Sequence, residues 1–167
     1  KLLISINAEK ITKFPLHYKA SNSMQKQELE YIIEVKNLSI SFGEKQVLNN
    51  VNFKVHRGDT LGIVGESGSG KSITSLAIMG LLSPNATIDP KSEILFHSTN
   101  SVIDLAKLSP KELEKVRGND IGMIFQEPMT SLNPSLRCGE QVEEAIRLHQ
   151  KLNKKEAKEK VLHLFSQ

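Results

Sequence analysis

The residues best placed to do chemistry form one short run, GESGSGKS, from Gly65 to Ser72. It fits the pattern G-x-x-x-x-G-K-[ST], and each part of that pattern answers a need of phosphate binding. Gly65, Gly68 and Gly70 let the backbone turn tightly, so that successive N–H groups, those of Glu66, Ser67 and Ser69 among them, can point inward at phosphate oxygens. Lys71 supplies a compact positive charge for β- and γ-phosphates, and the Ser72 hydroxyl is an oxygen ligand for Mg2+. Such a loop needs a strand before it and a helix after it, because the helix adds its unpaired N-terminal N–H groups and the positive end of its dipole. The flanks meet that need. TLGIV is short and continuously apolar, which predicts a strand buried on both faces. KSITSLAIMGLL keeps helical spacing, with Ile73, Leu76, Ala77, Gly80 and Leu81 on one face. A Gly/Ser-rich turn can match the bare pattern by chance, but not with this context, and the residues point to nucleotide binding.

The elements that must position the loop can be read on either side. IIEVKNLSISF alternates and is rich in β-branched residues, predicting a strand. FGEKQ supplies a turn, and VLNNVNFKV predicts a second strand with Val47, Asn49, Val51, Phe53 and Val55 on one face. HRGD, with Gly58, turns again. Beyond the helix, SPNATIDPKS carries two prolines and ends it, and EILFHS reads as a short strand. LSPKELEKVRG has a full set of helix signals: Ser109 as N-cap, Pro110 at the first position, Glu112 to close a capping box, Gly118 past the end. IGMIF predicts a further buried strand. GEQVEEAIRLHQ and KKEAKEKVLHLF predict two helices, the second capped by Asn153 with Glu156. The order is that of an α/β chain preceded by an antiparallel β segment.

Composition removes other classes. Among 167 residues, 22 basic and 19 acidic side chains leave a net charge of +3, unlike the one-signed surface of a dedicated DNA binder. Tryptophan is absent and aromatics are few, so no base-stacking platform is expected, and no nucleic acid partner. The basic run KLNKKEAKEK reads as a solvated helix face, with Glu156 and Lys160 spaced for an i,i+4 pair. Cys138 is the one cysteine, which excludes an internal disulfide, and the five histidines lie far apart in sequence. No apolar run has membrane-spanning length, so a membrane role would act through a partner.

The second informative stretch is RGNDIGMIFQEPMTSLNP, where an apolar strand ends at Gln126. From chemistry alone, a polar residue at such a strand mouth either faces the phosphates and Mg2+ or is a loop glutamine without a role. Together with GESGSGKS, this stretch resembles the ATP-binding subunits of ABC importers, in particular the oligopeptide/dipeptide and nickel group. The resemblance runs from about Ile32 to the last residue. It implies a P-loop NTPase of the ABC type: an N-terminal antiparallel β segment, a partial parallel core sheet and the start of a helical subdomain. It implies ATP and Mg2+ as ligands. Gln126 would be the Q-loop glutamine, contacting Mg2+ and the attacking water and coupling the site to membrane subunits. Phe42 matches the aromatic position that stacks on adenine. The implied partners are transmembrane permease subunits, a second ATP-binding subunit (the same chain or a relative) and, indirectly, an extracytoplasmic solute-binding protein. The implied place is the cytoplasmic face of the membrane, peripherally.

Some residues depart from the family pattern. Ser92 stands where the family usually has glycine, so the local turn is expected to differ. No LSGGQ-like signature, Walker B Asp-Glu, D-loop or switch histidine occurs in these residues, and Asp104, in SVIDL, follows too short an apolar run to be Walker B. We therefore expect residues 31–167 to be an ABC ATP-binding domain cut before the signature, able to bind nucleotide without turning it over. Residues 1–30 lack glycine and periodicity and are expected to be a disordered or non-native extension, with Met24 the natural start and 1–23 either a translated upstream stretch, a cloning remnant or a genuine extension. The alternative reading is a soluble ABC ATPase of repair or translation with no transporter, or a subunit importing nickel or another substrate. A GTPase would want an Asn-Lys-x-Asp motif, which is missing.

Overall fold

The computed structural model describes residues 3–6, 31–98, 101–125, 131–150 and 152–166. The chain divides into two compact units, residues 2–123 and residues 124–167.

The first unit is built on a five-stranded sheet. Its long strands are β2 (Tyr31–Phe42) and β3 (Lys45–His56), joined at the expected Gly43 turn. The free edge of β2 is shared between two short strands. β4 (Ala86–Ile88) pairs with its Ile40–Phe42 end and β5 (Glu93–His97) with its Ile33–Lys36 end, while β6 (Val102–Asp104) pairs with β5. Every described pairing of this sheet is antiparallel. One face carries Ile33, Val35, Leu38, Ile40, Ile94 and Phe96, each no more than 1% exposed. Ala77 and Ile78 of α1 (Lys71–Ile78) pack on that face, joined by Leu105 of a 3-10 turn (Leu105–Lys107) and Val116 of α2 (Pro110–Val116). A helix this short owes its stability to that apolar packing more than to its own propensity.

The β2–β3 pairing shifts register four times, and the two central shifts are back-to-back bulges that sequence alternation does not show. Between Val35 and Leu38, β2 has one extra residue; between Val51 and Leu48, β3 has one. Asn37 and Asn50 absorb them with φ of 51° each, a conformation asparagine tolerates better than most residues. The β3 bulge breaks the expected face. Val51, Phe53 and Val55 are half-buried, but below the bulge Leu48 turns inward at 5% exposure and Asn49 lies exposed. Side chains replace the ladder bonds that the bulges forfeit. Asn52 Oδ1 accepts from Asn37 N at 2.8 Å, and Ser39 Oγ accepts from Asn50 N at 2.9 Å.

The expected buried strand at residues 60–64 is not formed. Leu61, Ile63 and Val64 are 45, 46 and 93% exposed. A strand buried on both faces exists only where neighbours cover it and satisfy its N–H and C=O groups. Among the described residues no strand pairs with it, so the parallel part of the core sheet is missing there. β7 (Ile121–Ile124) does form, but the burial expected of IGMIF holds only at its head, with Ile121 1% exposed and Ile124 and Phe125 53 and 48% exposed; β1 (Leu3–Ile6), in the stretch expected to lack structure, is its sheet partner. The apolar, β-branched run LISI suits a strand, and with β7 it forms a two-stranded sheet. Residues 7–30 lie outside the described residues.

Local signals held at both capped helices. In α2, Glu112 Oε2 accepts from Ser109 N at 2.8 Å and closes the expected capping box. Among residues 124–167, α3 (Cys138–Gln150) and α4 (Lys154–Phe165) bury Ile146 against Ala157 and Val161. Asn153 caps α4, accepting from Lys155 N and Glu156 N at 3.0 Å each. The expected Glu156–Lys160 pair gives way to two local demands. Glu156 is used by the cap and Lys160 Nζ donates to Gln150 Oε1 at 2.6 Å.

Candidate functional site

The glycine loop closes as a compact turn, with Ser69 N donating to Glu66 O at 3.2 Å. Gly70 then caps α1 in a left-handed conformation, φ 88°, and offers no side-chain bond to the first turn. Glycine is required there twice over: a Cβ would be strained at that φ and would overlap Leu48 Cδ2. A Cβ at Gly65 would sit 2.7 Å from Ser69 Oγ, so the Ser69 hydroxyl would have to turn aside to admit one. The first turn of α1 therefore keeps its backbone N–H groups for an outside acceptor, and no acidic side chain competes there.

Lys71 folds back over the loop. Its Nζ donates to Gly65 O at 2.7 Å, Glu66 O at 2.6 Å and Ser69 Oγ at 3.1 Å. An ammonium has three donors, and these bonds use all of them. Ser72, next along, is exposed on the same turn. Inside the helix, Thr74 Oγ1 donates to Gly70 O at 3.0 Å, holding the cap residue to the helix it starts. These groups fit a nucleotide's phosphates: one point charge, a row of N–H groups and a glycine cradle that a Cβ would fill. Ser72 fits as one oxygen ligand of Mg2+.

Phe42 ends β2, pairing with Lys45 and with Ala86, and is half-buried against the core. The same hairpin reaches the loop, because Leu48 and Val47 O are the nearest neighbours of a Cβ at Gly70. The structure thus gathers Gly65–Ser72 into one site and backs it with the hairpin that carries Phe42. Gln126, the expected coupling residue, lies outside the described residues.

Two residues near the site escape sequence reading. Leu48 backs Gly70, but the alternation placed it on the other face. Arg117 reaches α1 from α2: its Nε donates to Met79 O at 2.7 Å and its Nη2 to Gly80 O at 2.5 Å. Neither contact has a local signal. Asp104, rejected as Walker B, has a structural task, accepting from Ile94 N and Ala106 N at 3.1 Å each. Ser92 is 2% exposed and wholly engaged: its Oγ accepts from Ser39 N at 3.1 Å and donates to Asn37 O at 3.0 Å.

Comparison with known proteins agrees with this geometry. The family model described as "ABC transporter" matches residues 48–167. The oligopeptide transport ATP-binding protein OppD of Bacillus subtilis (strain 168) is 49% identical over 138 residues, covering 80% of this chain and 37% of the relative. The dipeptide transport ATP-binding protein DppD of the same organism is 46% identical over 142 residues, covering 83% of this chain and 41% of the relative. The glutathione import ATP-binding protein GsiA of Pectobacterium atrosepticum is 44% identical over 139 residues, 80% of this chain and 22% of that protein. The chain thus spans well under half the length of these relatives. With its phosphate loop in place and the family model covering most of its residues, the chain belongs to the ABC transporter family.

Proposed function

We propose that the chain is the nucleotide-binding part of an ABC-type ATPase that energises import of di- and oligopeptides across the cytoplasmic membrane. The observation that carries the reading is the Lys71 ammonium held over the glycine loop at the N-terminus of α1. In this reading Gly65–Ser72 hold the phosphates of ATP, Ser72 and Gln126 ligate Mg2+, and Gln126 also orients water and couples the site to its partners. Phe42 stacks on the adenine. The peptide substrate is supported by the relatives' names, which speak of oligopeptide, dipeptide and glutathione transport.

The partners that fit are transmembrane permease subunits and a second ATP-binding subunit, with a solute-binding protein acting through the permease. Among the described residues no helix is long and apolar enough to cross a membrane, so attachment to the cytoplasmic face would be through the permease. These 167 residues hold no Asp-Glu pair at the end of an apolar strand, so the chain by itself is expected to bind nucleotide without multiple turnover.

The test is a titration with Mg-ATP. Lys71→Ala should lose binding, because the charge-assisted bonds to phosphate are the strong ones in such a site. Lys107→Ala, a change at an exposed lysine outside the loop, should keep it. Equal affinity of the two variants would refute the reading.

A further inference from the structure

Arg117 caps the C-terminus of α2, yet its side chain serves another helix. The two carbonyls it holds, of Met79 and Gly80, belong to the end of α1, thirty-eight and thirty-seven residues away. Such terminal carbonyls lack intrahelical partners and carry the negative end of the helix dipole, so a cation there is favourable. The planar guanidinium reaches the two carbonyls through two separate nitrogens of a fixed fork, Nε and Nη2, which the single nitrogen of an ammonium does not reproduce. The approach is close. Gly80 has φ of 60°, and a Cβ there would lie 2.5 Å from Leu113 Cδ1 and 3.0 Å from Arg117 Nη2.

The backbone of Arg117 is engaged at the other end of the same device. Arg117 bridges Ile121 in parallel, and Gly118 N donates to Ile121 O at 2.9 Å. This tight turn launches β7, which runs in sequence toward Gln126. Ile121 is 1% exposed and lies in the core cluster that holds Ala77 and Ile78 of α1.

We infer that Arg117 is a positioning residue that ties the C-terminal end of the phosphate-loop helix to the start of β7. The inference rests on the nucleotide reading above. A ligand pins the N-terminus of α1; Arg117 pins its C-terminus to the turn before Ile121. Occupancy of the loop is then felt in the backbone at the head of β7, through one short rigid helix and two hydrogen bonds.

The experiment is hydrogen exchange of the whole chain with and without Mg-ATP, in wild type, Arg117→Lys and Arg117→Gln. Strand β5, residues 93–97, gauges global opening. At nucleotide ten times its dissociation constant, wild-type protection should rise by up to about tenfold at residues 65–78. It should also rise at residues 118–124, by more than any rise in β5. Both variants should keep the first rise and lose the second. Arg117→Lys retains the charge and most of the stem, so a folded variant remains if Arg117→Gln disturbs the core. Survival of the second rise in either folded variant overturns the inference. Absence of the first rise in wild type overturns the nucleotide reading, and the inference with it.

Discussion

The Ser92 hydroxyl donates to Asn37 O at 3.0 Å, across 55 residues of chain, at the point where β2 bulges. The same oxygen accepts from Ser39 N at 3.1 Å, so one buried side chain repairs both backbone groups flanking the bulge. A glycine at position 92 would have no atom to offer there.

Ser92→Ala should therefore destabilise the chain by about 1–3 kcal/mol, the cost of leaving buried polar groups unpaired. Chemical denaturation would measure it. A change within a few tenths of a kcal/mol would mean that water takes over both bonds.

Gly70→Ala should cost about 1–3 kcal/mol in the same assay, from a left-handed φ together with the overlap on Leu48. It should also weaken Mg-ATP binding, since any relief of that overlap moves the cap of α1. Loss of stability with unchanged affinity would show that the loop adapts independently of the helix.

Glu34, 8% exposed, binds Lys54 Nζ at 2.8 Å and Lys36 Nζ at 3.2 Å, with His97 Nε2 at 3.7 Å. Burial pulls its pKa upward, but the hydrogen bonds from Lys54 and Lys36 outweigh that and leave it below the ordinary 4.5. A depressed carboxylate contributes stability above its unfolded pKa and loses it as pH falls through the folded value. Glu34→Gln should lower stability at neutral pH by about 1 kcal/mol, a figure kept small because both lysines are partly solvated. It should also flatten the loss of stability below pH 4.5. Parallel wild-type and variant curves of melting temperature against pH would contradict this.

Asp120 has the opposite sign. It is 3% exposed, and burial raises its pKa above 3.8, only partly offset by the bond from Asn119 Nδ2 at 2.7 Å. Its charged form is therefore a burden that grows as pH rises through and above 3.8. Asp120→Asn should raise the melting temperature more at pH 7 than at pH 4. A gain of the same size at both values would assign the effect to shape rather than charge.

What could be read in advance was local. Ser109 with Glu112 and Asn153 with Glu156 specify their caps within four residues, and GESGSGKS carries its own turn chemistry. What escaped depends on distant partners. Nothing beside Asn50 announces that Asn37 bulges on the facing strand to keep the two in phase. The apolar pattern of residues 60–64 states a preference for burial, which only other strands can satisfy. Arg117 has no local signal, and its side-chain partners are carbonyls at the end of another helix.

The three bonds made by the Lys71 ammonium have a calorimetric consequence. In the nucleotide reading proposed above, an incoming phosphate would have to displace Gly65 O, Glu66 O or Ser69 Oγ from a cation already bonded to them. Exchange of one hydrogen bond for another releases little net heat. The lysine is also held near its working position, so little side-chain entropy remains to be lost on binding. Association should accordingly show a muted enthalpy for so strongly charged a ligand.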